Sequence, residues 1–226
     1  DDVIGALRAV DPILQHGPSA VELLDDVILT EARRNRATAS MADFLDGEPG
    51  AVQVVELSGD SADEVQQRVD TLVADLRAKK IGWRWPIRTD ARSQANVWNV
   101  RKLGLGLISN VRGPRKGQAF VEDACVPVKV LPQYIAELKQ ICQRLDVPLS
   151  IYGHASVGVL HVRPMLDLHL DSDVAKMKQI ADAAFPLVVG YQGAWSGEHG
   201  DGLVRGQFIE PFFGPKLYEA FRQIKA

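Results

Sequence analysis

The stretch Ile151–Pro164, IYGHASVGVLHVRP, decides the fold because it carries the clearest strand pattern in the chain. Small or apolar residues alternate in it with larger polar ones, which is the period of strands that bury one face. The polar set comprises Tyr152, His154, His161 and Arg163. The pattern predicts a β-hairpin that presents these four side chains, all capable of binding or acid–base chemistry, on one surface.

The register of this hairpin depends on its turn. If the pair Val157–Gly158 forms a two-residue turn, His154 lies opposite His161, and Tyr152 lies opposite Arg163. Directly opposite residues of an antiparallel pair have Cβ atoms roughly 5 Å apart. Two imidazoles at these positions could therefore close on one metal ion.

A glycine-rich stretch at 195–202, WSGEHGDG, is the predicted source of a third ligand. Glu198 and His199 lie there between glycines, which let a backbone approach a site closely. A metal held by His154, His161 and Glu198 would keep an open position, as catalytic ions do. Such an ion can clamp a substrate oxygen and lower the pKa of a bound hydroxyl. His199 is then the candidate general base near neutral pH, although a tight loop without chemistry is the alternative.

Two arginines are candidates for binding a substrate carboxylate, because guanidinium matches carboxylate in a bidentate fork. They are Arg163 in the hairpin and Arg101 in an apolar helical stretch. For Arg101 the alternative is a structural salt bridge to Glu122 or Asp123, since an unpaired buried charge is costly. A metal site made by Glu122 and Asp123 is disfavoured, because adjacent strand residues point to opposite faces.

Composition limits the class of protein. The 226 residues suit one large domain or two small ones. A formal net charge of −3 and a single short basic loop at 112–116 give no reason to expect a nucleic-acid partner. Cys125 and Cys142 lie in apolar patterns, which predicts free thiols in a reducing cytoplasm. Apolar runs are shorter than the roughly 20 residues that span a bilayer, so any membrane association would be peripheral.

Periodicity along the chain predicts alternating helices and strands. Helices are expected at residues 1–46, 60–79, 93–108, 131–145, 172–189, where Pro186 should kink or shorten the helix, and 214–226. Strands are expected at residues 51–57, 83–88, 119–127 and in the hairpin. This order favours an α+β fold of ferredoxin-like type, a largely antiparallel sheet with helices packed on one face. The site would then lie on the open face of the sheet.

Five motifs occur in an order that is similar to a known family. They are VWNVRK at 97–102, FVEDACVP at 120–127, GHASVGVLHVRP at 153–164, SGEHGDGLVR at 196–205 and FFGPKLYEAFRQIK at 212–225. Together they resemble the C-terminal, substrate-side domain of FAD-linked oxidases of the vanillyl-alcohol oxidase type. That family includes D-lactate dehydrogenases, glycolate oxidase large subunits and D-2-hydroxyglutarate dehydrogenases. The resemblance covers most of residues 97–226, and the first hundred residues match only in general layout.

The resemblance implies oxidation of a D-2-hydroxy acid of the lactate, glycolate or 2-hydroxyglutarate type to its 2-oxo acid, with hydride transfer to FAD. It implies a divalent metal, Zn or Mn, on the two histidines and the glutamate of the predicted triad. His199 would remove the hydroxyl proton and Arg101 would bind the substrate carboxylate. Arg163, for a distal carboxylate, and Tyr152 complete the expected substrate set. Gly197 and Gly200 are the expected cofactor contacts.

The resemblance also implies partners. We expect residues 1–226 to form the substrate domain, with a helical lead-in to about residue 48, and the FAD-binding domain to lie elsewhere in the same polypeptide. The chain starts without methionine and stops inside an amphipathic helix, which favours a piece of a longer protein that is inactive alone. The electron acceptor would be a quinone, an electron-transfer flavoprotein or an iron–sulfur domain, and a homodimer is one option. The alternatives are a stand-alone ferredoxin-like module that binds metal or a small acid without redox chemistry, and a metal-dependent hydrolase.

Overall fold

The computed structural model describes residues 2–226. Its strands are β1 (Ala20–Asp25), β2 (Ala51–Glu56), β3 (Lys116–Gly117), β4 (Leu149–His154) and β5 (Val159–Leu166). Its helices are α1 (Val3–Arg8), α2 (Val10–Leu14), α3 (Asp26–Arg34), α4 (Ala62–Ala78), α5 (Ala91–Lys102), α6 (Gly104–Ser109), α7 (Leu131–Arg144), α8 (Asp171–Gly190), α9 (Gly202–Arg205) and α10 (Ile209–Lys225). Short 3₁₀ turns occur at Ala42–Phe44, Val128–Val130, Ala155–Val157 and Gly206–Phe208.

The strands form one sheet in the order β2-β1-β4-β5-β3, and each neighbouring pair is antiparallel. The predicted α+β fold class with a largely antiparallel sheet is therefore confirmed. The predicted elements at 51–57, 60–79, 131–145 and 172–189 are also present. α8 continues through Pro186 to Gly190, so this proline does not shorten the helix.

The interior strand β1 interrupts the predicted helical lead-in, in which α1, α2 and α3 are helical and whose first residue, Asp1, lies outside the described residues. β1 pairs with β2 on one side and β4 on the other. A strand buried on both faces shows an apolar run without clean alternation, and Val21 and Leu24 therefore imitated the start of the helical stripe that Ile28 and Ala32 continue in α3. After β1 the chain becomes helical again at α3, where the Asp25 carboxylate accepts a hydrogen bond from the Ile28 N–H.

Two hydrophobic cores flank the sheet. The larger one lies under α1, α2, α4, α7 and α8 and includes Leu23, Leu138, Ile151, Val162 and Ile180. The smaller one lies on the other face with α3, α5 and α6 and includes Leu24, Ile28, Val100, Leu107 and Tyr152. Each fully buried Leu or Ile side chain contributes about 1.5–3 kcal/mol of transfer free energy. Helices therefore pack on both faces of the sheet and not on one as predicted, and the smaller core supports the face that carries the candidate site.

Two predicted strands are irregular segments. At 83–88, Pro86 removes a ladder donor, and Trp85 Nε1 instead donates to the Ile81 carbonyl. The segment 119–127 makes only isolated hydrogen bonds to the hairpin, among them Val162 N–H to the Glu122 carbonyl.

Two predicted helices also differ from the structure. The predicted helix at 93–108 divides into α5 and α6. Gly214, with φ +78°, interrupts α10 near the predicted start of the last helix.

The hairpin has a register that differs by two residues from the predicted one. Tyr152 lies opposite His161, and His154 lies opposite Val159. The connection has four residues instead of two, because the 3₁₀ turn is followed by Gly158 with φ +75°. A shift of two residues preserves the face of every side chain. The four predicted polar side chains therefore still share one surface.

Two further expectations concern the whole chain. Cys125 and Cys142 are free thiols, as predicted, although Cys125 is only partly buried. Within residues 2–226, no helix has the length and apolarity that crossing a membrane requires.

Candidate active site

The three predicted metal ligands converge on the face of the smaller core. His154 ends β4, His161 lies in β5, and Glu198 lies in the loop before α9. The Nε2 atom of His161 is 3.4 Å from Glu198 Oε1, and the Nε2 atom of His154 is 3.7 Å from Glu198 Oε2. One ligand atom from each residue falls within 4.8 Å of the other two. Two imidazoles and a carboxylate at such separations are a suitable donor set for one divalent cation.

His161 is the buried member of this triad, with 6% of its surface exposed. Desolvation is the main reason that its pKa falls to about 4, because the opposing attraction of Glu122 is weaker. The ring is therefore neutral at pH 7, which is the form that binds metal. Its Nδ1 atom has no hydrogen-bond partner within the described residues and lies 3.8 Å from Glu122 Oε1.

His199 stands beside the triad. Its ring stacks on His161 with centroids 5.2 Å apart and planes 1° from parallel. The Nδ1 atom is 3.1 Å from Glu122 Oε2, and the Nε2 atom is 3.6 Å from Glu198 Oε1. If Nδ1 carries the hydrogen and points it toward Glu122, Nε2 presents a lone pair toward Glu198, on the side of the predicted metal ligands. With 46% of its side chain exposed, the ring is also accessible from outside.

Glu122, His161 and His199 form a second, overlapping group of potential metal ligands. Glu122 also accepts a hydrogen bond from Arg163 Nη2, so its charge is already offset. A cation there would compete with that guanidinium, whereas Glu198 pairs with no arginine or lysine among the described residues. The triad that contains Glu198 is therefore the better cation site.

Arg101 pairs with Glu22, so the alternative of a salt bridge from Arg101 to Glu122 or Asp123 was wrong. Arg101 Nε donates to Glu22 Oε2 at 2.6 Å, and Glu22 Oε1 lies 2.6 Å from His154 Nδ1. Sequence reasoning missed Glu22 because it treated Ala20–Asp25 as helix. An acidic residue inside the apolar run AVELLD was the available signal.

Tyr152 and Arg163 are both buried beneath this surface. The Arg101 guanidinium lies 5.5 Å from the centre of the Tyr152 ring, at cation–π distance. Burial is the largest cause that raises the pKa of Tyr152, so its hydroxyl stays protonated. Arg163 reaches the site through its contact with Glu122, and its Nε atom lacks a partner within residues 2–226.

Asp123 anchors the loop that carries Glu198 and His199. One of its carboxylate oxygens accepts hydrogen bonds from the backbone N–H groups of Glu198 at 2.9 Å and His199 at 2.7 Å, and the other pairs with Arg205. Burial raises the pKa of Asp123, but these donors together hold it well below its usual range. Asp123 is therefore a positioning residue for the loop, with neither of the roles that the sequence suggested.

The two glycines expected to contact a cofactor have different surroundings. A Cβ atom on Gly197 would meet the Asp123 carbonyl oxygen at 3.0 Å, so glycine is needed for close packing there. Gly200 has φ +74° and no heavy atom within 4 Å of its Cβ position. Gly200 thus leaves open space at the rim of the site.

Charge at the site is nearly balanced. Three carboxylates, from Glu22, Glu122 and Glu198, surround two guanidiniums, from Arg101 and Arg163. With neutral imidazoles this leaves one excess negative charge. A bound divalent cation would make the site positive by one charge, which suits an anionic substrate.

Comparisons with known proteins identify the family to which the chain is similar. The chain matches the family described as FAD linked oxidases, C-terminal domain, over residues 1–226. It is 32% identical to a D-2-hydroxyglutarate dehydrogenase of Pseudomonas putida over 97% of this chain and 22% of that protein. It is also 32% identical to the D-2-hydroxyglutarate dehydrogenase of Escherichia coli over 100% of this chain and 23% of that protein. The chain thus spans less than a quarter of these relatives. A solved 4-ethylphenol oxidase from Gulosibacter chungangensis, in complex with isoeugenol, aligns with TM-score 0.48 and 11% identity over 84% of this chain and 41% of that chain.

Proposed function

We propose, because this chain belongs to the family of C-terminal domains of FAD-linked oxidases, that it is the substrate-side domain of a D-2-hydroxy acid dehydrogenase. The substrate would be of the lactate, glycolate or 2-hydroxyglutarate type and would leave as the 2-oxo acid. The D-2-hydroxyglutarate dehydrogenases among its relatives support this class. The observation that carries the proposal is the convergence of His154, His161 and Glu198 beside a fourth acid–base residue, His199.

The donor set fits a divalent cation, Zn or Mn. His154, His161 and Glu198 would hold it, and His161 is already neutral at pH 7. When bound, the ion would act as a Lewis acid toward the substrate hydroxyl oxygen. A further sign of fit is that the other nitrogen of His154 faces a carboxylate, as is usual for histidines that bind metals.

His199 would remove the hydroxyl proton of the substrate. Its Nε2 atom faces the ligand side, while its Nδ1 atom faces Glu122. The Glu122 carboxylate would hold the imidazole in the required tautomer and stabilise the imidazolium that forms. A positioned base of this kind contributes about 10²–10⁴-fold in rate.

Arg101 would bind the carboxylate next to the reacting carbon. It lies above Tyr152 and keeps donors beyond the Nε atom that Glu22 engages. Arg163 would contact a distal carboxylate where the substrate has one. Tyr152 would support both arginines from below and contribute to the substrate pocket.

FAD would be held mainly by another domain of the same polypeptide. The residues here offer a contact surface, since His199 and Glu198 are partly exposed and Gly200 leaves open space, with Gly197 packed behind them. Bound FAD would supply the hydride acceptor. This domain alone would be inactive, because it lacks a glycine-rich segment for the pyrophosphate.

Electrons would then pass to a quinone, an electron-transfer flavoprotein or an iron–sulfur domain. We place the protein in the cytoplasm, with peripheral attachment to the inner face of the membrane as the alternative. A homodimer is compatible with this scheme.

A module that binds metal or a small acid without redox chemistry is the second candidate. The observation in its favour is the metal triad itself, because binding a cation there requires no flavin. Steady-state assays on the full-length protein with D- and L-2-hydroxy acids and an artificial dye acceptor separate the two. Dye reduction with D-acids alone supports the dehydrogenase. A colourless protein that binds metal but reduces no dye supports the module.

A further inference from the structure

We propose that Glu22 is a positioning residue that joins the metal ligand His154 to the carboxylate-binding Arg101. This inference rests on the proposed function, because it concerns the same site. The geometry behind it is direct. Glu22 lies opposite His154 in the pairing of β1 with β4, and its side chain is 7% exposed. Each of its oxygens has a different partner, Oε1 with His154 and Oε2 with Arg101.

The Glu22 carboxylate determines which nitrogen of His154 carries hydrogen. Oε1 and Nδ1 are 2.6 Å apart, and two lone pairs would repel at that distance. A carboxylate has no hydrogen to share, so Nδ1 is the donor. The lone pair of the ring is then on Nε2, the atom that faces Glu198. Carboxylate partners of this kind orient metal-binding histidines, and their loss costs about 10–100-fold in metal affinity.

The Arg101 side chain contacts Glu22 and Tyr152, which both lie outside its own helix. Within α5 the buried residue is Val100, and the remaining side chains are partly or fully exposed. The Arg101 guanidinium is fixed by the 2.6 Å bond to Glu22 and by the Tyr152 ring. Its Nη2 atom lies 3.4 Å from His154 Nδ1, so the arginine and the histidine are held side by side.

β1 gives this arrangement a rigid base. Glu22 is flanked across the sheet by Val54 of β2 and by His154 of β4. A strand paired on both sides cannot slide without breaking both ladders. The sheet therefore fixes Glu22 relative to His154, and the ion pair with Glu22 ties the Arg101 guanidinium of α5 to that pair.

The test uses the full-length protein with Glu22→Ala, Glu22→Gln and the matched control Glu56→Gln. Glu56 is exposed at the end of β2 and lies opposite Ala20. Two quantities are measured: the affinity of the chelator-stripped protein for Zn²⁺ and Mn²⁺, by competition with a chromophoric chelator, and KM and kcat for the best D-2-hydroxy acid. Thermal denaturation accompanies both.

We expect Glu22→Ala to lower metal affinity about 10–100-fold and to raise KM more than it lowers kcat. Glu22→Gln keeps one acceptor and should recover part of the metal affinity, while Glu56→Gln should match the wild type. A Glu22→Ala protein that is less stable but has wild-type metal affinity and KM would overturn the inference and leave a purely structural ion pair. If Glu22→Ala does not fold, the same two readouts on Glu22→Gln decide.

Failure of the proposed function is distinguishable from failure of this inference. If the wild type binds metal but oxidises no 2-hydroxy acid, the dehydrogenase proposal fails, and the metal affinities alone decide the role of Glu22. If the wild type binds no divalent metal, the inference is overturned.

Discussion

The Nδ1 atom of His199 lies 3.1 Å from the Oε2 atom of Glu122, and this contact turns the opposite nitrogen of the ring toward the metal ligands. A second buried glutamate, Glu22, holds His154 in the same way. Each glutamate also binds one arginine, Arg163 or Arg101. The site is thus supported by two carboxylates that each join a histidine to a guanidinium.

Replacing His199 tests the base. We expect His199→Gln in the full-length protein to slow flavin reduction about 10²–10⁴-fold while flavin and metal contents stay at wild-type levels. The matched control is His169→Gln, because the His169 side chain is exposed and lies against Asp167 in its own turn. Rapid mixing followed by flavin absorbance measures the rate. A His199→Gln protein with the wild-type rate would remove His199 from the mechanism.

Asp123 should be the most sensitive position of the loop. In Asp123→Asn, the buried Arg205 loses its charged partner and the loop N–H groups lose charge-assisted bonds. Breaking such a buried pair costs about 3–5 kcal/mol of unfolding free energy. The control is Asp201→Asn. The Asp201 Oδ1 atom lies 3.9 Å from Nε of the same arginine, and burial raises the pKa of Asp201, so its charge is less favoured than that of Asp123. Urea denaturation that gives equal values for both variants would contradict the assigned role.

Gly158 should not tolerate a side chain. It has φ +75°, and a Cβ atom there would lie 1.9 Å from the Val126 carbonyl oxygen. The left-handed conformation alone costs roughly 1–2 kcal/mol for a non-glycine residue, so Gly158→Ala should destabilise by more than that. Gly106 in α6 has open space at its Cβ position, and Gly106→Ala should stabilise by up to about 1 kcal/mol. Thermal denaturation of the two variants should therefore shift in opposite directions.

Asp25 predicts a pH dependence of stability. Burial raises its pKa from 3.8 to about 6, against the hydrogen bonds from the Ile151 and Ile28 N–H groups and Ser150. Between these two values the folded state binds the proton and the unfolded state does not. The free energy of unfolding should therefore fall as pH rises from about 4 to about 6, by about 3 kcal/mol in total.

The measurement for Asp25 is urea denaturation at several pH values between 4 and 7. Asp25→Asn should flatten the decrease, because the amide does not titrate. Asp63→Asn, at an exposed position in the first turn of α4, should keep the wild-type slope. Identical slopes in Asp25→Asn and the wild type would show that another group titrates.

The sequence pattern was sufficient to predict an element where one of its faces is buried and the other is exposed to solvent. α4 and α7 show such helical spacing, and they were predicted near their true bounds, as was β2, whose residues are mostly half-buried. β1 was missed because burial on both faces removes the alternation, and the role of Glu22 was missed with it. The hairpin register failed because a left-handed glycine, Gly158, lengthens the turn, and turn length cannot be inferred from strand periodicity.

The candidate metal ligands were predicted better than the residues that position them. His154, His161 and Glu198 were expected to converge, and their side chains do lie together. Glu122 and Asp123 are adjacent, yet they serve different partners, because an irregular segment turns one toward His199 and the other toward the loop backbone. Such long-range partners follow from the fold and leave no periodic signal in the sequence.

Anaerobic flavin reduction in the full-length protein tests the central claim most directly. Bleaching is followed with D- and L-2-hydroxy acids before chelation, after chelation, and after Zn²⁺ or Mn²⁺ is returned. We expect bleaching by a D-acid alone, its loss on chelation, its recovery with metal, and its absence in Glu198→Gln. Bleaching that survives chelation and Glu198→Gln unchanged would contradict a metal-assisted dehydrogenase site at His154, His161 and Glu198.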